Sequence, residues 1–381
     1  MICVHEDFYE DPLDEELNDL VRDGVSVIKT QAAGVLKIGP YRLIGDIGLR
    51  GGYHMLKEAW CFLKQNQVDF IWIPIPSWYT SLLGPVLHRR FRVPFGIDYI
   101  DPWVYQLTAY EKRWSRAWVT HHVAKVLEPF AIRRAALVSG VAESYFAPAL
   151  RRVFKDGKCP VTVAMPYGFD SYDHLVEPKN PEFPFDPSQG PYILYAGAFL
   201  PHSEVFARAL FAELKELNDA GIWPNELKFQ FVGTGRRPGV SIRQLARQMK
   251  IGHIVEEHPE RIPFLTVQSL LRRARGSLIL GSTEAHYTAS KTFQCLLANK
   301  PILVILHRES TALEFLNSCN AGVFSVPWSQ EDGFHKCVRS ALESFIASPV
   351  SDWKPDLTAI DQYSARHSTD QLLRAISTLL S

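Results

Sequence analysis

Short apolar runs alternate with stretches of helical spacing through the second half of the chain. Tyr192–Ala196 (YILYA) is apolar and ends at Gly197, after which Val205, Leu210, Leu214 and Leu217 recur at helical spacing. Leu227–Val232 (LKFQFV) is a second run, closed by Gly233-Thr234-Gly235, and a polar helix is predicted near Ser241–Lys250. Further strands are predicted at His253–Val255, Ser277–Leu280, Ile302–Leu306 and Gly322–Val326. Helices are predicted between them at Phe264–Ala274, Ala289–Ala298 and Thr311–Ser318. This alternation marks βαβ units and a parallel sheet covered on both faces. Six strands in this order predict a Rossmann-like domain.

The first half alternates with less regularity. Strands are predicted at Ile2–Val4, Val25–Lys29, Phe70–Pro74, Phe95–Ile97, Leu137–Ser139 and Val161–Ala164. Helices are predicted at Tyr53–Gln65, Thr80–Arg90, Ala142–Val153, and in one long stretch from Val104 to Arg134. Between the halves, VEPKNPEFPFDPSQGP has five prolines in 16 residues, which excludes helix and central strand. The domains therefore read as residues 1–175, a linker at 176–191, a second domain at 192–357 and a helical tail at 358–381. The class is α/β, with two doubly wound domains facing each other across a cleft. Ligands of such sheets bind beyond the carboxyl ends of the strands, so chemistry is expected in the loops that follow them.

Composition narrows the function. The 381 residues allow two or three domains. Lys plus Arg is 41 and Asp plus Glu is 41, without the positive excess of a general nucleic-acid binder. No apolar run reaches the roughly 18 residues of a membrane span. The start, MICVHEDFYEDP, has no basic region and no long apolar core, so it does not read as a signal peptide. Six scattered cysteines without a CxxC pair predict isolated core thiols in a reducing cytoplasm.

Charge is balanced overall but not locally. The stretch Tyr110–Arg134 carries Lys112, Arg113, Arg116, Lys125, Arg133 and Arg134 against Glu111 and Glu128, with Trp114 and Trp118 one turn apart. Such a face suits peripheral contact with an anionic membrane on its cytoplasmic side. A solvated helix with core tryptophans is the other reading.

The most informative segment is Gly281–Leu306, GSTEAHYTASKTFQCLLANKPILVIL. Thr288, Ala289 and Ser290 are small and open a helix, so their backbone N–H groups can approach an anion closely, and the helix dipole favours negative charge there. Lys291 adds a full positive charge, and Gln294 follows four residues after Ser290. A diphosphate with an attached ribose matches this pattern. Glu284 and His286 lie in the loop before it. With no third ligand at suitable spacing, they predict no metal site.

This segment resembles the nucleotide-sugar site of GT-B glycosyltransferases of the family-4-like, retaining group. Its usual form has two Glu residues eight positions apart; Gln294 and His286 stand at those positions here, and Ser290-Lys291-Thr292-Phe293 matches a Ser-Lys-x-Phe variant. YILYAGAF resembles the strand and glycine loop that open the donor domain, with Gly197 in that loop. FVGTG resembles its second strand and turn, with Gly233. VEEHPERIPFLTVQSLLRRARGSLILGSTE resembles the base-binding loop, where Arg261 would position base or phosphate. VPFGIDYIDPWV resembles the acceptor-domain strand and loop, where Asp101 would touch a sugar, and YSARHSTDQLL resembles a terminal helix crossing back to the first domain. The start resembles the second strand of an acceptor domain, so the resemblance implies that a first βα unit is missing.

The resemblance implies glycosyl transfer from a nucleotide-diphosphate sugar to an acceptor hydroxyl on a glycan or lipid-linked glycan. It further implies retention of configuration, no metal, and no cofactor beyond the donor. Asp101, Glu284 and His286 would be catalytic; Gly197, Gly233, Arg261, Thr288, Ala289, Ser290, Lys291 and Gln294 would bind the donor. Two other readings stand beside it: a non-catalytic scaffold or partner subunit of the same shape, and a sugar-nucleotide epimerase.

Overall fold

The computed structural model describes residues 1–10, 13–21, 24–39, 41–105, 112–155, 159–165, 168–235, 239–283, 291–329 and 333–381. The chain forms two compact units. Unit 1 holds residues 1–13, 21–168 and 365–381; unit 2 holds 14–20 and 169–364.

Unit 1 opens with β1 (Ile2–Val4), β2 (Ile28–Thr30), β3 (Leu36–Ile38) and β4 (Tyr41–Ile44). β1 and β2 pair in parallel as a separate ladder, and β3–β4 is an antiparallel hairpin that the sequence pattern did not anticipate. Then come α1 (Ile47–Gln65), β5 (Ile71–Pro74), α2 (Leu83–Phe91), β6 (Phe95–Tyr99), α3 (Arg116–Ile132), β7 (Leu137–Gly140), α4 (Glu143–Val153) and β8 (Val161–Ala164). Strands β5-β6-β7-β8 form a parallel sheet in chain order. Its core gathers Phe95, Ile97 and Tyr99 of β6 with Ala124, Ala131 and Ile132 of α3.

The predicted long helix from Val104 is corrected at its start. Residues 106–111 lie outside the described chain, and α3 begins only at Arg116. Trp114 takes a left-handed φ of 68°, which no helix accommodates, and the Ser115 hydroxyl then accepts from the Trp118 N–H at 3.1 Å as an N-cap.

Unit 2 contains β9 (Tyr192–Ala196), α5 (Glu204–Asp219), β10 (Lys228–Val232), α6 (Ile242–Gln248), β11 (Val255–His258), α7 (Phe264–Arg273) and β12 (Gly276–Leu280). It continues through α8 (Lys291–Leu297), β13 (Ile302–His307), α9 (Thr311–Ser318), β14 (Phe324–Trp328) and α10 (Phe334–Ala347). All six strands are parallel, in the order β11-β10-β9-β12-β13-β14. This is the doubly wound order, third-second-first-fourth-fifth-sixth.

Alternation along the strands sends side chains to two separate cores. Ile193, Tyr195, Phe229, Phe231, Leu278 and Leu280 pack under α5, α6 and α10. Tyr192, Leu194, Val232, Ile279, Val304 and Leu306 pack under α7, α8 and α9. The period of two in β-strands produces this sorting, and covering both faces explains why the runs read as continuously apolar.

The proline-rich stretch 176–191 packs on unit 2: Glu177 pairs with Arg272, and the Phe185 ring meets Tyr192 edge-on with centroids 5.0 Å apart. The predicted tail divides. A 3₁₀ turn at Leu357–Tyr363 stays in unit 2; Ser364 is extended; and α11 (Ala365–Leu380) packs on β7 and β8 of unit 1. Gly168 lies so near this return that a Cβ there would come within 2.8 Å of Ala365 backbone atoms. Of the six cysteines, Cys295 and Cys319 are buried, whereas Cys61, Cys159 and Cys337 are exposed. The expectation of core thiols thus holds for two of them.

Candidate functional site

The strand order of unit 2 reverses between β9 and β12, and that switch point is where doubly wound sheets open a crevice. The opening is visible in the ladder. β9 and β10 pair along all five residues, but β9 and β12 pair only at Ile193 with Gly276 and at Leu194 with Ser277. Beyond those pairs the carboxyl halves of the two strands separate.

Four loops leave this edge and are tied together by backbone hydrogen bonds. The Gly197 N–H donates to the Val232 carbonyl at 2.9 Å, and Phe199 N–H to Thr234 at 3.1 Å. Gly233 N–H donates to His258 at 2.8 Å, Gly235 N–H to Pro259 at 2.9 Å, and Thr283 N–H to His202 at 3.3 Å. Gly197 and Gly233 have φ of 126° and 71°, conformations that side chains oppose. A Cβ on Gly233 would lie 3.9 Å from the Gly197 nitrogen, and one on Gly197 would lie 3.7 Å from Lys291 Nζ. The glycines keep this floor thin.

Lys291, the first residue of α8, reaches across to it. Its Nζ sits 3.6 Å from the centroid of the Tyr195 ring, and the Tyr195 hydroxyl donates to the Ala198 carbonyl at 2.8 Å. The aromatic face attracts the ammonium and holds it against β9. Sequence reasoning named Lys291 and Gly197 but missed Tyr195. Its inward position in YILYA was legible; its proximity to a lysine nearly a hundred residues later was not.

Gln294 sits one turn along α8 and is already engaged. Its Oε1 accepts from His174 Nε2 at 2.7 Å and from Gln268 Nε2 at 2.8 Å. With that oxygen accepting from both, neutral His174 carries its proton on Nε2. His174 and Gln268 are themselves buried, and the His174 Nδ1 has no hydrogen-bond partner among the described residues. Burial, above all, pushes the His174 pKa down; the bond to Gln294 opposes this, and Arg272 adds to it. Neither His174 nor Gln268 was singled out from the sequence.

A cleft of about 460 Å³ adjoins the same loops and is lined by Phe199, Thr234, Gly235, Arg243, Arg247 and Glu257 among others. Glu257 is buried. It accepts from the Thr234 hydroxyl and from the Arg243 N–H, both at 2.8 Å, and Arg243 Nη2 donates to the Glu257 carbonyl at 2.6 Å. Arg243 and Arg247 therefore bring positive charge to one wall, a feature the polar helix near Ser241 did not disclose.

The remaining predicted residues are placed as follows. Arg261 is exposed in the loop after β11. Asp101 is exposed in the loop after β6 of unit 1, and its carbonyl accepts from Trp78 Nε1 at 3.2 Å. Glu284, His286, Thr288, Ala289 and Ser290 lie outside the described residues. The structure thus brings Lys291, Gly197 and Gly233 together, and turns the Gln294 oxygen toward its own unit.

No protein-family model and no curated protein sequence matches the chain. Solved structures do resemble it. The Candida albicans trehalose-6-phosphate phosphatase N-terminal domain superposes with a TM-score of 0.54 at 14% identity, over 87% of this chain and 74% of that one. HepE of Anabaena, in complex with UDP and glucose, superposes with a TM-score of 0.53 at 13% identity, over 86% and 83%. A UDP-forming α,α-trehalose-phosphate synthase from Burkholderia xenovorans gives 0.52 at 11% identity, over 87% and 80%. The chain shares the GT-B fold of these structures.

Proposed function

We propose that the protein transfers a sugar from a nucleotide-diphosphate donor to an acceptor hydroxyl of a glycan or lipid-linked glycan. The observation that carries this reading is the Lys291 ammonium, held 3.6 Å from the Tyr195 ring centroid beside Gly197, at the switch point of the unit-2 sheet. In support, the Anabaena structures of similar fold hold UDP, UDP with glucose, or UDP-glucose.

Transfer breaks the bond between the anomeric carbon and the diphosphate oxygen and forms one to the acceptor oxygen, whose proton passes to the departing diphosphate. The leaving diphosphate gains charge as its bond breaks. Lys291 and the backbone N–H groups of Thr288, Ala289 and Ser290 would receive that charge, so catalysis is mainly positioning and electrostatic stabilisation. No divalent cation is needed in this scheme, and retention of configuration is the outcome we assign. Glu284 and His286 would face the donor sugar, Arg261 the base or phosphate, and Asp101 of unit 1 a sugar hydroxyl. Because Gln294 Oε1 already accepts two hydrogen bonds, a ribose hydroxyl would meet its amide nitrogen instead. Unit 2 would hold the donor and unit 1 the acceptor. We place the protein in the cytoplasm, peripheral on an anionic membrane face.

Calorimetric titration with a panel of UDP- and GDP-sugars, together with assay of donor hydrolysis, tests this. Lys291→Ala should weaken donor binding at least tenfold, the scale of a lost charge-assisted hydrogen bond. No binding by any donor would favour the non-catalytic reading, to which the internal engagement of Gln294 already lends weight. Binding that survives Lys291→Ala would move the diphosphate elsewhere on the unit.

A further inference from the structure

Unit 1 carries a second concavity, of about 560 Å³, in which Arg89 and Arg90 of the last turn of α2 meet Arg133 and Arg134 at the end of α3. Trp60 and Phe130 line it as well. Its position follows from the topology. α2 runs into β6 and α3 into β7, so these helix ends lie at the amino edge of the parallel sheet. Substrates of such sheets bind at the carboxyl edge, so this pocket is not a substrate site of unit 1.

All four arginines are exposed, and none forms an ion pair among the described residues. Two helix carboxyl ends, each worth about half a negative charge, answer roughly one of the four positive charges. About three remain without an internal counterpart. The Arg90 guanidinium is held in place by aromatic rings, 5.7 Å from the Trp60 centroid and 5.2 Å from that of Phe91.

Beside the pocket, α3 leaves Val119, Val123, Val126 and Phe130 exposed by 40, 38, 72 and 55%. Their spacing of four, three and four residues draws one apolar stripe that ends at the arginines. The opposite face buries Ala124, Glu128 and Ala131 in the unit. Just before the helix, Trp114 is 70% exposed and leans on Trp118, ring centroids 4.7 Å apart.

A soluble polyanion would satisfy the guanidinium groups but leave the stripe in water. An apolar protein face would cover the stripe but leave the charges unmet. An anionic bilayer offers phosphate and hydrocarbon side by side. We propose that this surface docks on anionic phospholipid, with lipid phosphate in the four-arginine pocket and α3 lying along the interface, stripe inward. The proposal rests on the membrane-face part of the reading above and replaces the basic side of one helix with a composite of α1, α2 and α3.

Co-sedimentation of the full chain with phosphatidylglycerol vesicles and with phosphatidylcholine vesicles tests it. The wild-type protein should bind the anionic vesicles at least tenfold more tightly. Arg89→Gln with Arg90→Gln, and separately Arg133→Gln with Arg134→Gln, should each erase most of that preference. Val126→Ser with Phe130→Ser should weaken binding even at low salt. Melting temperature should be unchanged in all three, because the altered side chains are exposed. Failure of the wild-type protein to bind anionic vesicles would overturn both the membrane reading and this surface. Vesicle binding untouched by the arginine pairs would keep membrane contact and overturn the pocket. Titratable binding of inorganic pyrophosphate at the arginines without vesicle binding would show a site for a soluble anion, again against the proposal. Donor titration at Lys291 is read separately and does not depend on any of these outcomes.

Discussion

The two sheets use the same βα grammar and differ in how completely they are enclosed. In unit 2, β12 is buried at every position and β13 at its first five, with helices over both faces. In unit 1, only β6 and β7 are buried throughout; β5 alternates between half-buried and exposed, and β8 is exposed at three of four positions. Unit 1 also sets β1–β2 and β3–β4 apart as small ladders. The difference teaches where positional information resides. A strand covered on both faces must be apolar throughout, so its chemistry is confined to the loop at its end. A less enclosed unit leaves side chains free to build surfaces, and the arginine pocket is one of these.

Core deletions should separate the units most sharply. Phe231, fully buried between Tyr195, Phe211 and Phe229, should cost about 3–5 kcal/mol when changed to Ala. For one and the same truncation, Ile305→Val in the enclosed β13 should cost about 1.5 kcal/mol and Ile73→Val on the half-buried β5 about 0.5 kcal/mol. Urea unfolding followed by segment-resolved hydrogen exchange would show equal costs if the contrast in enclosure were unimportant.

Next in size is the polar cluster of unit 2. Gln294→Ala strips the acceptor from both His174 and Gln268 and should destabilise unit 2 by about 1–3 kcal/mol. An unchanged melting curve would release Gln294 from its structural role and return it wholly to ligand contact. In unit 1, Asp46 caps α1 by accepting from the Leu49 N–H at 3.0 Å and also from the Ser77 hydroxyl at 2.6 Å. Asp46→Ala should cost about 1 kcal/mol, read from chemical denaturation.

The smallest effect expected is a difference in acid response. His174 and His258 in unit 2 are both held below the ordinary histidine range, chiefly by burial. The unfolded chain binds protons at these sites as pH falls below about 6.5, before the folded chain does, so unit 2 loses stability from there downward. His121 in unit 1 shifts the same way through burial, but burial also raises the carboxyl pKa values of Asp98 and Glu128. The folded unit 1 holds those two protons more tightly and gains stability as they bind, so it carries one destabilising histidine, opposed by two carboxyls, where unit 2 carries two. Hydrogen exchange at pH 7.5 and 5.5, corrected for intrinsic rates, should show β9–β14 losing protection before β5–β8. His174→Gln should narrow the gap.

The legibility of the chain follows the same division. Five of the six strands of unit 2 were visible as apolar runs, because a parallel sheet covered on both faces imposes that pattern locally; the edge strand β11, with Glu256, Glu257 and His258, begins at Val255, where the predicted His253–Val255 run ends. The loops carrying Gly197 and Gly233 were visible because tight turns have local residue requirements. The late start of α3 was hidden: Trp114 is an unexceptional helix residue until its left-handed φ is seen. The engagement of Gln294 was hidden too, since His174 lies 120 residues away along the chain. So was the cap of α7, whose first N–H donates to Asp14 Oδ2 across 250 residues.

The sequence by itself determined the α/β class, the alternation of elements, and the glycine turns that follow the first two strands of unit 2. These depend on periodicity and on residues that are neighbours in the chain. Only the tertiary structure decided which side chains share a site: Lys291 over Tyr195, Gln294 between His174 and Gln268, and four arginines from two helices around Trp60. Contacts across long stretches of chain are set by how sheets and helices pack, and residue spacing carries no record of them.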